Sequence, residues 1–171
     1  FKRILKLPMK LGIKGCIHLT VIKSNMLTLN IYLSGEIHSD WREQLIQACE
    51  AKKLPVNFLT PVVTHQASDE IGQVLHPDLT GGFWRDKASS GVNQVRIRTG
   101  IERADLVIIN FGEKYRQWNA AYDAGYCAAK GKPYLVIHPE EFIHALKEVD
   151  SGAFAVANDN SQVVEILAYL T

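Results

Sequence analysis

One carboxylate, Asp123, stands in a run of small residues: Gln117-Trp118-Asn119-Ala120-Ala121-Tyr122-Asp123-Ala124-Gly125-Tyr126-Cys127-Ala128-Ala129-Lys130-Gly131-Lys132-Pro133. A helix needs side chains this small where a sheet or a ligand packs closely against it. Asn119 lies one turn before Asp123 on the same face. A carboxylate in a closed apolar pocket can act as a nucleophile or as the electrostatic partner of a developing oxocarbenium ion. That assigns Asp123 and Asn119 as the candidate catalytic pair, with Trp118 as a candidate ligand contact. Cys127, four residues past Asp123, either lines the same pocket or serves as small packing.

A second group lies in Gly35-Glu36-Ile37-His38-Ser39-Asp40-Trp41-Arg42, between a strand and a helix. Free N–H groups at a helix start, with Arg42 nearby, suit a phosphate or a sugar hydroxyl. The bland alternative makes Ser39 or Asp40 a cap and Trp41 a core residue. Neither Gly-x-Gly-x-x-Gly nor a Walker pattern is present, so no dinucleotide or triphosphate is signalled. Asn93 and Arg96 share a helix face, and Arg98 lies off it. These arginines are candidate anion ligands, against the reading that Arg98 merely pairs with Glu102 in the i,i+4 relation. His138, before Pro139, is a candidate on the rim of the sheet. His65 and His76 are loop residues without metal-ligand spacing, so no metal site is expected.

The elements that must hold these residues alternate. Strands are predicted over residues 27–33, 56–59, 106–111, 134–137 and, weakly, 153–156. Helices are predicted over 40–52, 83–103, 115–130, 140–149 and 161–170, with one or two helical turns within 69–75. This order predicts a three-layer α/β fold of the Rossmann or flavodoxin-like kind, with a parallel sheet of about five strands and helices on both faces. Ligands of such folds sit beyond the carboxyl ends of the strands, where strand order reverses. Here that rim comprises residues 34–41, 61–69, 110–118 and 138–141.

Composition narrows the partners. The chain has 171 residues, 47% of them hydrophobic, enough for one domain with a real core. Residues 1–25 carry six basic groups (Lys2, Arg3, Lys6, Lys10, Lys14, Lys23) and no acid. The remainder holds 13 of the 19 basic residues against all 18 acidic ones, a net of −5. The expected division is therefore a basic extension over 1–25, outside the core, and a domain over 26–171. A domain of that sign is a poor nucleic-acid binder. No apolar run approaches the roughly 18 residues that span a bilayer. Cys16, Cys49 and Cys127 are odd in number and widely spaced, which fits a reducing cytoplasm better than a disulfide framework.

With these residues assembled, the chain resembles the YtoQ family, a branch of the nucleoside 2-deoxyribosyltransferase-like proteins. The resemblance rests on Ile31-Tyr32-Leu33-Ser34-Gly35-Glu36-Ile37-His38-Ser39-Asp40-Trp41-Arg42-Glu43, Phe83-Trp84-Arg85-Asp86-Lys87, Ala104-Asp105-Leu106-Val107-Ile108, Phe111-Gly112-Glu113-Lys114-Tyr115 and residues 117–133. It covers residues 27–171. Proteins of the wider family break N-glycosidic bonds through a glutamate nucleophile in a Glu-Leu-Gly-Tyr-Ala helix. The resemblance puts that role on Asp123, within Tyr122-Asp123-Ala124-Gly125-Tyr126, and puts Tyr32 and Gly35 in the sugar pocket. It also implies a homo-oligomer whose neighbours complete the pocket. No cofactor or metal is expected, because the carboxylate supplies the covalent chemistry. Two departures stand out: Asp123 is one methylene shorter than the family glutamate, and Arg98 stands where the family has a base-handling aspartate.

Two expectations follow. The first is a retaining N-glycoside transferase or hydrolase acting on a deoxynucleoside or its 5′-monophosphate, with Glu36 or Asp86 as the second carboxylate. The alternative is a non-catalytic module that binds a nucleotide or sugar-nucleotide in the same pocket.

Overall fold

The computed structural model describes residues 27–62, 68, 70–78, 80–112 and 117–171. The extension over 1–25, His65 and residues 113–115 of the family-like stretch lie outside the described residues.

Five strands form one parallel sheet: β1 (Leu29–Gly35), β2 (Val56–Leu59), β3 (Leu106–Asn110), β4 (Tyr134–Ile137) and β5 (Ala155–Ala157), in the order β2-β1-β3-β4-β5. This is the flavodoxin-like order, and its switch point lies between β1 and β3. β3 and β4 read Leu-Val-Ile-Ile-Asn and Tyr-Leu-Val-Ile and are buried on both faces except at Asn110. Such near-continuous apolar runs are what a covered parallel sheet demands. The edge strands β2 and β5, of four and three residues, are partly exposed.

The described residues form six α-helices: α1 (Trp41–Ala51), α2 (Ile71–Leu75), α3 (Gly82–Arg103), α4 (Trp118–Lys130), α5 (Ile143–Gly152) and α6 (Asn160–Leu170). Alternate strand residues feed opposite faces. Ile31, Leu33 and Ile108 pack with Leu45 of α1 and Val163 and Leu167 of α6. Tyr32, Val107 and Ile109 pack on the other face with Ile101 of α3 and Ala120, Ala124 and Cys127 of α4.

Three boundaries differ from the sequence reading. β1 runs on through Ser34 and Gly35 because its pairing with β3 continues to Gly35↔Asn110. Gly35 has φ +94°, and a Cβ there would lie 2.1 Å from the Asn110 carbonyl oxygen, so a side chain is excluded by both conformation and space. The stretch read as one helix over 140–149 begins as a 3₁₀ turn, Glu140–Phe142, and continues as α5 to Gly152. β5 occupies Ala155–Ala157 because Phe154 N–H already bonds to the Tyr134 carbonyl and sets the register with β4.

Candidate functional site

The switch point leaves a crevice beyond the carboxyl ends of β1 and β3, and a cavity of about 600 Å³ occupies it. That volume suits a small-molecule ligand. β1 contributes Tyr32, Ser34 and Gly35, the following loop His38, and α4 contributes Trp118, Asn119 and Asp123. Of the residues singled out from sequence, six therefore converge: Tyr32, Gly35, His38, Trp118, Asn119 and Asp123.

Asp123 projects from the second turn of α4 toward the end of β1, flanked by Ala120 and Ala124, which are small enough to let the helix lie close to the sheet. Its carboxylate is 7% exposed. One oxygen accepts a hydrogen bond from Ser34 Oγ at 2.5 Å. Burial pushes its pKa up to about 6, and the Ser34 bond opposes that rise. Burial first, and then the neighbouring Asp123 charge, raise the Tyr32 phenol, while Arg42 and Arg96 pull it back. Tyr32 thus stands within electrostatic reach of the Asp123 carboxylate and of both arginines. Its ring fits against α3 because residue 100 is glycine: a Cβ there would lie 2.5 Å from the Tyr32 Cε2. Cys127 is fully buried, its thiol pushed up to about 12 mainly by desolvation; it packs in the core and does not line the cavity.

The other expected site residues go elsewhere, each for a physical reason. Arg42 is 2% exposed and gives its guanidinium to the backbone carbonyls of Leu33, Gly35 and Glu36 while stacking on Trp41 at 4.6 Å. The Leu33 and Gly35 carbonyls face the β2 side of β1, where pairing has ended at Tyr32↔Leu59, and an orphaned buried carbonyl is costly. Arg42 satisfies them and is directed away from the cavity. Burial lowers its pKa to about 10.

Glu36 is buried and accepts from His38 N–H and Ser39 Oγ, which ties down its own loop. Asp86 is exposed on α3, eleven residues before Ile97, the α3 residue that lines the crevice; that is about 16 Å along the helix axis, and Asp86 does not line the cavity. Arg98 points to the opposite side of α3 from Arg96; it bonds Tyr122 Oη at 2.9 Å and lies over Tyr126 at 5.3 Å. His138 is 1% exposed, with Nδ1 2.7 Å from the Pro139 carbonyl and Nε2 3.1 Å from Asp150. It belongs to the β4 side of the sheet, beyond β3 from the crevice, and clasps β4 to α5. Arg96, with Asn93, lines a smaller adjoining cavity of about 360 Å³.

Several cavity residues carry no mark of their own in the sequence, Ser34, Ser68, Thr99 and Arg103 among them. Ser34 lies one residue past the expected end of β1, and its signal is that place at a strand's carboxyl end, on the expected rim. Ser68, which lines both cavities and accepts from Asn93 Nδ2, falls in the expected rim segment 61–69, where its residue type does not set it apart from its neighbours. Among the described residues no group of histidines, cysteines and carboxylates is arranged to hold a metal ion, and no helix is long and apolar enough to cross a membrane.

A flavodoxin-like sheet with a buried carboxylate at its switch point defines an α/β protein with a small-molecule crevice. The chain belongs to the family described as nucleoside 2-deoxyribosyltransferase YtoQ, whose pattern matches residues 32–171. It is 41% identical over 140 residues to the uncharacterized protein YtoQ of Bacillus subtilis (strain 168), covering 82% of this chain and 95% of that protein. A conserved protein from Enterococcus faecalis V583 has the same fold, with a TM-score of 0.57 at 13% identity over 84% of this chain and 99% of its own. A 2-deoxyribosyltransferase from Bacillus psychrosaccharolyticus aligns with a TM-score of 0.46 at 20% identity, over 79% of this chain and 90% of its own.

Proposed function

We propose that this protein is a retaining N-glycoside transferase or hydrolase acting on 2′-deoxynucleosides, with Asp123 as its nucleophile. The observation that carries the reading is the Asp123 carboxylate itself: buried, lining the switch-point cavity, and held through one oxygen by Ser34. Its other oxygen has no protein hydrogen bond among the described residues and is the attacking atom.

In the first step that oxygen bonds to C1′, the C1′–N bond breaks, and the base leaves with the electron pair and takes up a proton from water. In the second, a nitrogen of an acceptor base, or water, attacks C1′; the ester bond to Asp123 breaks, the carboxylate is regenerated and a proton returns to solvent. Two inversions give net retention. Asn119 positions the sugar, Tyr32 and Gly35 line its pocket, and the Trp118 indole stacks on the base. His38 closes the wall opposite α4. The carboxylate supplies the covalent chemistry, so no cofactor enters the scheme. A cytoplasmic homo-oligomer completes the reading.

One observation favours the second reading, a binding module. Asp123 is the single carboxylate among the described cavity residues, since Glu36 and Asp86 do not line it. Among the described cavity residues that leaves no second acid to protonate the base. The two readings separate on incubating the protein with each 2′-deoxynucleoside and a labelled free base. Exchanged nucleoside or released base is the expected result. Tight nucleoside binding with neither product would assign the pocket to recognition alone.

A further inference from the structure

The two cavities are not independent. Tyr32, Pro61, Val62, Ser68 and Ile97 line both, so they are two lobes of one cleft with the Tyr32 side chain at the junction. Their chemistry differs. Among the described residues, the larger lobe holds Asp123 and no arginine, and the smaller holds Arg96 and Arg103 and no carboxylate.

The arginines are ordered by α3. Arg96, Thr99, Gly100 and Arg103 fall at i, i+3, i+4 and i+7, a stripe two turns long on one face. The guanidiniums start about 10 Å apart along the axis, within reach of each other around a single small anion. Neither has an ion pair or hydrogen bond among the described residues, unlike Arg42 on its carbonyls and Arg98 on Tyr122. Two exposed cations on one wall of a cleft, with Thr99 on the same stripe between them, suit the forked, charge-assisted bonds that phosphate accepts.

We propose that the smaller lobe is an anion subsite in which Arg96 and Arg103 bind a phosphate carried by the ligand whose sugar lies at Asp123, so that the preferred ligand is a 2′-deoxynucleoside 5′-monophosphate. The proposal rests on the deoxynucleoside reading for the identity of the sugar and base, but not for the anion. The distribution of charge fits: an anion placed beyond Tyr32 is separated by that ring from the Asp123 carboxylate, and Arg96 is close enough to bias the Tyr32 phenol.

Calorimetric titration at low ionic strength tests it, using the four 2′-deoxynucleosides, their 5′-monophosphates and 2′-deoxyribose 5-phosphate, with the wild type, R96A, R103A and R98A. The expected result is that at least one monophosphate binds about tenfold or more tighter than its nucleoside. That margin shrinks with added salt and collapses in both R96A and R103A, while thermal melting shows both variants folded. Equal affinity of nucleoside and monophosphate in the wild type would overturn the anion subsite and leave the deoxynucleoside reading standing. A preference that collapses in R98A but survives in R96A and R103A would also overturn it, by placing the anion on the other face of α3. If 2′-deoxyribose 5-phosphate binds through Arg96 and Arg103 while no nucleoside or nucleotide does, the anion subsite stands and the deoxynucleoside reading fails. No binding by any of the probes would overturn both.

Discussion

Ser34 Oγ donates to the Asp123 carboxylate at 2.5 Å, joining the carboxyl end of β1 to the second turn of α4 across 89 residues of sequence. This bond fixes where the carboxylate points, and it is the one interaction that favours its charged form against burial. Ser34→Ala is expected to shift the acid limb of the pH–rate profile upward from about 6. A lost hydrogen bond of about 1 kcal/mol corresponds to a shift of just under one pH unit. A profile that stays in place would mean the serine does not tune the carboxylate.

Asp123→Ala should remove nucleophilic catalysis, lowering kcat/KM on the order of 10⁴-fold, with far-ultraviolet circular dichroism unchanged. Asp123→Glu restores the length of the family glutamate. In a cavity shaped around aspartate it is expected to misplace the attacking oxygen by about a bond length, lowering the rate roughly 10²-fold. Base-exchange kinetics on both variants provide the check.

Stability should carry the opposite pH signature from that of a salt-bridged aspartate. The Asp123 carboxyl titrates near 6 in the folded chain and at 3.8 when unperturbed. Between those values the folded state binds more protons than the unfolded one, so its contribution is most favourable below about 4 and is lost as pH rises through 6. Holding the charge in the cavity at pH 8 therefore costs roughly 2–3 kcal/mol. Asp123→Asn should stabilise the protein by about that amount at pH 8 and by almost nothing at pH 4. Urea denaturation at the two pH values measures it; a variant less stable than wild type at pH 8 would contradict the buried-charge account.

Gly100 and Tyr32 form the second close fit at the site. Gly100→Ala places a methyl group 2.5 Å from the Tyr32 ring, and either α3 or the ring must move. Overpacking of this kind costs about 1–3 kcal/mol. Because Tyr32 lines both lobes, the same variant should also weaken ligand binding several-fold, read by titration beside the melting curve.

The elements were legible because each announces itself locally. β3 and β4 are apolar runs with no polar break, and α4 ends at the Gly131-Lys132-Pro133 signal. Asp123 stood out as a lone acid among alanines, and the switch-point rule then places its crevice. The arginines were not legible. Arg42 sits where an anion ligand belongs by sequence, yet it is claimed by carbonyls orphaned when β2 stops at Leu59, a consequence of sheet register. Arg96 and Arg98 are two residues apart, about 200° around α3, and only the packing of that helix decides which one faces the cleft. His138 looked like a rim residue because it follows a strand; its strand lies on the far side of β3. Arg103, at the last turn of α3, reads as ordinary complementation of the helix dipole until the second lobe is seen.

The central claim, covalent catalysis by Asp123, is tested most directly by rapid-quench mass spectrometry of the protein mixed with a 2′-deoxynucleoside or its 5′-monophosphate in the absence of acceptor base. The account predicts a transient adduct of one deoxyribosyl unit, or its 5-phosphate, on the peptide containing Asp123, formed with release of free base and absent in Asp123→Ala. Base release that proceeds with no adduct, or an adduct that persists in Asp123→Ala, would contradict it.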